Sequence, residues 1–514
     1  MPEQMLEKLK KSITTQWKVC FFAALIVGFI AHFYKITNWL PNWDSLVFRY
    51  DSQNMIRLGR WFLPVACAPS SFYDLPWING LLSVVYHALG AVCIVKMFGV
   101  RKNITAGLIG AAVITFPTVT SVMMYNYVAD GYGLAFLFSC IAAMLLIREK
   151  PKFVLAVIFI ALSAGIYQAY ITVTITLLLV HLILELLYKR MDLKKSLGKC
   201  VRFLLAGGVG MALYYLVLTV LLKLTGTELL EYQGLDSAVS LTGLDIFGSL
   251  YTTKEAFLGY FFDFSQGIST FTLINCVIFA LIFGLYLTDL IKNKISISKI
   301  VLLFVYVALL PIGATILAFI NSGVDYHNLM KMGFFAFYLL LILQYEKTEL
   351  KSIKMKSTKM WLVLGVMVAL IFNQVVIANV SYHKLNMAYD KAHGILIRIA
   401  DRIEQNEEAR NCKRILVVGA LPDSESYSVN LPPDMTGTTD GLILRADDET
   451  VGQSVVCSAL NDYCGKNYTF LAKEEKEAIL KKIDKTKMEN WPDKSAILVV
   501  DDVIVLKLGD EKEQ

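Results

Sequence analysis

The sequence predicts a polytopic α-helical membrane protein, with about eleven spans and a small extracytoplasmic α/β domain at its C-terminal end. Three observations predict it. Of 514 residues, 56% are hydrophobic and only 18% are charged, with a mean hydropathy of +0.55; an ordinary water-soluble core cannot hide that much apolar surface. The apolar residues come in blocks of about 20, long enough to cross a hydrocarbon layer roughly 30 Å thick, whereas a membrane barrel would show short alternating segments. Composition then changes after the last block, which divides the chain into a transmembrane domain, 1–382, and a C-terminal domain, 383–514.

In order, the spans are expected near 17–37, 77–99, 103–123, 131–147, 152–169, 171–188, 202–222, 269–291, 299–320, 329–345 and 360–380. Lys8, Lys10, Lys11 and Lys18 precede the first span and no small-residue cleavage site follows it, so it reads as a retained signal anchor. Met5 to Gln16 reads as a short basic helix on the inner leaflet. Pro117 and Pro311 are expected to kink their helices. Lysine and arginine are retained on the cytoplasmic side, and alternate loops differ accordingly. One set carries twenty of these residues and the other, up to the last span, seven. The N-terminus is therefore placed inside, and the residues after 380 outside. The net charge of +6 follows from the inner loops and calls for no nucleic-acid partner.

The C-terminal domain reads as a helix over 383–408, a buried strand over 413–419 (KRILVVG), a charged helix over 471–489 and a strand pair over 496–508. The Pro-, Asp-, Gly- and Thr-rich stretch 420–470 reads as irregular surface. No glycine-rich loop follows KRILVVG, which argues against a nucleotide there. The acidic runs Asp447-Asp448-Glu449 and Asp501-Asp502 read as solvated turns. Of nine cysteines, six lie in or near spans as small buried hydrophobes. Cys457 and Cys464 leave both a disulfide and free thiols open, and no metal-ligand spacing surrounds them. His32, His87 and His181 read as packing residues.

Polar and aromatic residues gather on the outer side. Besides the first outer loop, 38–76, they include Tyr125, Asn126, Tyr127 and Asp130; Tyr167, Gln168 and Tyr170; Glu255 and Asp263; and Asn321, Asp325, His327 and Lys331. Any single Tyr or Trp there has an aromatic-belt reading, and Asp130 a helix-capping one. Five connections delivering such groups to one membrane depth point to a working site. Within the first loop, Asp44 to Phe62 is expected as a helix lying along the membrane. Asp44 and Asp51 would share one face, with Arg49, Gln53 and Arg60 on another. Charge neutralisation between those residues is the alternative.

The strings NWDSLVFRY, RLGRWFLP, TFPTVTSVMMYNYVADGYG and SAGIYQAY, in that order and with this topology, resemble the bacterial glucosyltransferase II family. Those membrane enzymes decorate O-antigen and related surface or cell wall polysaccharides and belong to the GT-C superfamily. Members often carry two adjacent acids in the first outer loop, where this chain has Asp44 followed by Ser45. The resemblance implies a GT-C-like fold in the bacterial plasma (inner) membrane. It also implies a polyprenyl-phosphate sugar donor, undecaprenyl-phosphate glucose, and a surface glycan acceptor on the outer face. Asp44 is then the expected general base of an inverting transfer, since an attacking hydroxyl must lose its proton. Arg57, Arg60 and Lys331 are expected to hold the donor phosphate. Asp51, Asp130, Tyr167, Gln168 and His327 are expected to orient the substrates. No cofactor is required, although Asp44 and Asp51 leave a divalent metal open. Expected partners are membrane lipid, a small flippase and a donor-lipid synthase. The competing reading is a transporter or flippase of lipid-linked saccharide. It is disfavoured because transporters place binding groups near the midplane, and these spans are largely free of central charge. A saccharide sensor is a third reading.

Overall fold

The structure, a computed structural model, describes residues 4, 7, 12–41, 43–49, 51–52, 54–188, 191–230, 245–265, 267–321, 326–347, 353–419, 421, 449–483 and 488–510. The chain divides into two compact units. The first comprises Met1–Thr37, Asp51–Met123 and Val128–Ala378, and the second Asn38–Tyr50, Met124–Tyr127 and Asn379–Gln514.

The chain is a polytopic helical membrane protein. Among the described residues nine helices are long and apolar enough to cross a membrane, and a tenth span forms if the bent pair Asn103–Thr115 and Pro117–Met124 crosses as one. The bend of 41° has a local cause. Phe116, ahead of a proline, takes φ −56° and ψ 133°, because the proline ring disfavours helical geometry in the residue before it. The fifth expected span, 152–169, is a helix of only 14 residues, Phe153–Ile166, about 21 Å long at 1.5 Å per residue. It stops where Tyr167 turns extended, at φ −156° and ψ 117°, and a 3-10 turn, Gln168–Tyr170, leads into helix Ile171–Tyr188.

Small residues let the helices approach closely, as packing inside a bilayer requires. A Cβ on Gly110 would lie 2.2 Å from the Cys20 carbonyl oxygen, and one on Gly28 2.8 Å from Ile114. His32 and His87 are buried there, bonded to the Ile114 and Ser83 carbonyls at 2.8 Å each. Phe257, Phe261, Phe279, Phe334 and Phe337 form a second packing centre. It joins helices Ile246–Phe261, Thr270–Lys292 and Phe335–Lys347.

The second unit holds a four-stranded mixed sheet, ordered β2-β1-β4-β3. Its strands are β1 (Arg414–Val418), β2 (Thr469–Phe470), β3 (Ile497–Val500) and β4 (Val503–Lys507). Strand β1 runs parallel to β2 and β4, with Leu416 opposite Val505, and β3 pairs antiparallel with β4. The β3–β4 turn is Asp501-Asp502, with φ of 49° and 62°, the geometry that suits a two-residue hairpin. These two acids are exposed turn residues, as expected; Asp447 and Asp448 lie outside the described residues.

Two expectations for this region need correction. Part of the stretch read as irregular is helix Glu449–Cys464, which packs on β1 through Val455, Val456 and Leu460. Cys457 and Cys464 are both free and stand on that one helix. Two helical turns separate them by about 10 Å, too far for a disulfide. The expected helix over 383–408 is the last part of the 53-residue helix Ile353–Gln405.

Candidate active site

The first loop, 38–76, does not form the expected helix from Asp44 to Phe62. A five-residue helix, Trp43–Val47, is followed by a 3-10 turn, Ile56–Leu58, and the short helix Leu63–Ala66. Gly59 ends the 3-10 turn at φ 73°, a left-handed conformation that suits glycine and cannot continue a helix. The segment also passes from the second unit to the first between Tyr50 and Asp51. Asp44 and Asp51 therefore do not share a helix face, and neither do Arg49 and Arg60; Gln53 lies outside the described residues.

In the first unit the loop is tied to the break before helix Ile171–Tyr188. Phe62 N–H donates to the Gly165 carbonyl at 2.7 Å. Trp61 lies over Gly165, where a Cβ would come within 2.7 Å of the indole. Gln168 Nε2 donates to the Leu58 carbonyl at 3.0 Å and to Tyr214 Oη at 2.9 Å. The Tyr214 hydroxyl in turn donates to the Gly59 carbonyl at 3.0 Å. These bonds fix the backbone on either side of Arg60. The half-buried Arg60 guanidinium sits 5.0 Å from the Tyr167 ring, and that ring stacks on Tyr132 at 4.6 Å. A guanidinium laid on an aromatic face keeps its N–H edge directed outward.

Lys331 stands on the 3-10 helix Asn328–Phe334, which packs against the Gln168–Tyr170 turn. Its ammonium lies 5.8 Å from the Tyr260 ring. His327 is the residue before that helix and is half-buried. The Tyr326 hydroxyl bonds to the Ala314 carbonyl at 2.6 Å, and burial pushes its pKa up; Asp325 lies outside the described residues. Arg57 is exposed, its Nε donating to the Glu228 carbonyl at 3.2 Å. Asp51 is exposed, with Ser52 Oγ 3.4 Å away.

Asp130 is fully buried. Asn79 Nδ2 donates to its Oδ1 at 3.2 Å, and it borders Cys67, Ser70 and Gly131. A Cβ on Gly131 would lie 2.8 Å from Leu63 and 3.0 Å from Cys67, so this helix start carries the Leu63–Ser70 stretch directly. Burial, reinforced by the Asp130 carboxylate, pushes the Cys67 thiol well above its usual range. The sequence reading missed Asn79, Tyr132 and Tyr214. Asn79 stood out only as an amide inside an apolar run, and nothing local distinguished the tyrosines. Lys35 is one of the seven Lys and Arg counted in the less basic set of loops. Lys35 is 1% exposed, its Nζ has no hydrogen-bond partner among the described residues, and the Asp74 carboxylate acts on it.

Asp44 belongs to the second unit, half-buried on helix Trp43–Val47. That helix packs on helix Glu449–Cys464, and Leu46 enters the same core. Arg49 pairs with Asp462 at 2.9 Å and lies 4.1 Å from the Trp39 ring. Among the described residues no three or more His, Cys, Asp or Glu are grouped to hold a metal ion.

Fold and site together define a multi-pass membrane protein in which Arg60 and stacked tyrosines are held where the first loop meets the turn between two helices. The family model described as Glucosyl transferase GtrII matches residues 33–343. That is more than half of the chain, which belongs to the GtrII glucosyltransferase family and is a membrane glucosyltransferase. No curated protein and no solved structure matches it.

Proposed function

We propose that the protein transfers glucose from a polyprenyl-phosphate donor to a surface glycan on the extracytoplasmic face of the membrane, with inversion at the anomeric carbon. The observation that carries the reading is Arg60, stacked on Tyr167 with its flanking carbonyls bonded by Gln168 and Tyr214. A fixed guanidinium suits the charge that grows on a departing lipid phosphate. Arg60 is assigned that role, with Lys331 and the exposed Arg57 as further cations. Tyr167, Gln168, His327 and Asp51 are assigned to orienting sugar or acceptor. Asp130, enclosed between Asn79 and the Leu63–Ser70 stretch, supports that stretch from within. The excess of Lys and Arg in alternate loops favours the extracytoplasmic placement.

Asp44 is assigned as the base that takes the acceptor proton. It stands in the NWDSLVFRY string of the matched region, on a helix of its own. In proteoliposomes supplied with labelled polyprenyl-phosphate glucose and acceptor, the wild-type chain is expected to form a glycosidic product. Asp44→Asn is expected to lose about 10²- to 10⁴-fold in rate while keeping its circular dichroism. Turnover near the wild-type rate removes Asp44 from the role. Movement of unmodified donor lipid with no product makes the chain a flippase.

A further inference from the structure

The second unit contains a pocket of about 490 Å³ that the proposed transfer does not use. Its lining includes Asp390, Lys391, Gly394 and Arg398 from one helix, with Trp491 and Pro492 opposite. Lys391 and Arg398 are seven residues apart, two turns along helix Ile353–Gln405, and so share a face. Gly394 lies between them, and a Cβ there would meet nothing within 4 Å. Both cations line the pocket from this helix face.

Trp491 decides the kind of ligand. Its indole is only 4% exposed, with the guanidinium carbons of Arg398 and Arg402 at 5.6 Å and 5.2 Å from the ring. Arg402 Nη1 donates to the Pro492 carbonyl at 3.1 Å, and the Trp491 backbone N–H to the Lys507 carbonyl at 2.9 Å. A ring so enclosed is no platform for stacking a neutral sugar. It is instead a shelf that orders Arg398. Arg398 is exposed and has no hydrogen-bond or ion-pair partner among the described residues. Asp390, the acid in the lining, accepts from Asn386 at 3.1 Å. An ordered guanidinium fork matches the paired oxygens of a carboxylate or phosphate.

We propose that this pocket binds an anionic group carried on a saccharide chain, and so holds the acceptor polymer on the C-terminal domain. The inference rests on the reading of a surface glycan as acceptor. Its test uses the full-length protein in nanodiscs of zwitterionic lipid, titrated calorimetrically with oligogalacturonate, with a neutral maltooligosaccharide of equal length and with inorganic phosphate. Oligogalacturonate is expected to bind in a salt-sensitive way, at least tenfold more tightly than either of the others. Arg398→Ala is expected to weaken it about tenfold, and Arg398→Lys, which keeps charge but loses the fork, several-fold. Equal binding of the neutral saccharide, binding of phosphate as tight as that of oligogalacturonate, or an unchanged Arg398→Ala variant overturns the proposal. In turnover, Arg398→Ala is expected to raise KM for purified envelope glycan with kcat and donor KM unchanged. Binding without any glucosyl transfer by the wild type counts against the proposed transfer and leaves the pocket standing; transfer with no change in acceptor KM in Arg398→Ala counts against the pocket alone.

Discussion

The two ends of helix Ile171–Tyr188 treat polar side chains in opposite ways. At its C-terminal end, Tyr188 donates to Asp289 Oδ2 at 2.5 Å, and Gln344 Nε2 bonds to Tyr188 Oη at 2.7 Å and to Asp289 at 3.1 Å. Lys359 Nζ donates to Gln344 Oε1 at 3.1 Å, and Lys199 pairs with Glu185. Those groups complete one another. Around the N-terminal end, Trp61 Nε1 and Tyr170 Oη are buried with no hydrogen-bond partner among the described residues. Leaving such groups unmatched costs about 1–3 kcal/mol each. On the proposed function, the closed end holds helices together and the open end faces the substrates.

Substitutions can break that division. Of these, the largest effect is expected for Arg60→Ala, second only to Asp44→Asn: a loss of about a hundredfold in transfer that falls more on donor use than on acceptor use; the reverse pattern moves Arg60 to the acceptor side. Gln168→Leu releases the Leu58 carbonyl and the Tyr214 hydroxyl together and is expected to cost about tenfold in kcat, because a displaced loop misplaces its cation. An unchanged kcat would make that bond purely structural. At the closed end, Gln344→Leu is expected to lower stability by about 1–2 kcal/mol, read as a reduced thermal midpoint in detergent, with kcat and KM within about twofold of wild type. A large kinetic effect there would erase the contrast between the ends. The smallest effect concerns Cys67. Burial and the Asp130 carboxylate raise its pKa, so at about pH 8 the thiol stays protonated and N-ethylmaleimide is expected to leave activity unchanged. Inactivation that Cys67→Ala removes would place a thiolate in the open end.

Most of the helices were legible in the sequence because each span is a long apolar run, and the last strands because KRILVVG and AILVVDDVIVLKL are dense in β-branched residues. What escaped were the interruptions. The sequence reads 152–169 as one span, yet the helix stops at Ile166 so that Tyr167 and Gln168 can leave helical geometry, a choice made by packing against Trp61 and Leu58. Periodicity joined Asp44 to Phe62 because it cannot see that residues on either side of Tyr50 belong to different units. Helix Glu449–Cys464 was hidden by a weakly apolar sequence, whose helicity depends on burying Val455, Val456 and Leu460 against the sheet. The candidate cations were visible as charges in the loops read as outer, whereas the aromatic partner of Arg60 and the burial of Lys35 depend on contacts between residues distant in the chain.

The most direct measurement is photocrosslinking of the wild-type protein with a polyprenyl-phosphate glucose analogue carrying a photoreactive group beside the phosphate, followed by peptide mapping. The adducts are expected on the Met55–Ser70 stretch and on Tyr167 to Tyr170, and to be suppressed by unmodified donor. Competed adducts confined to peptides carrying Tyr188, Asp289 or Gln344 would contradict the assignment of the open end to the donor.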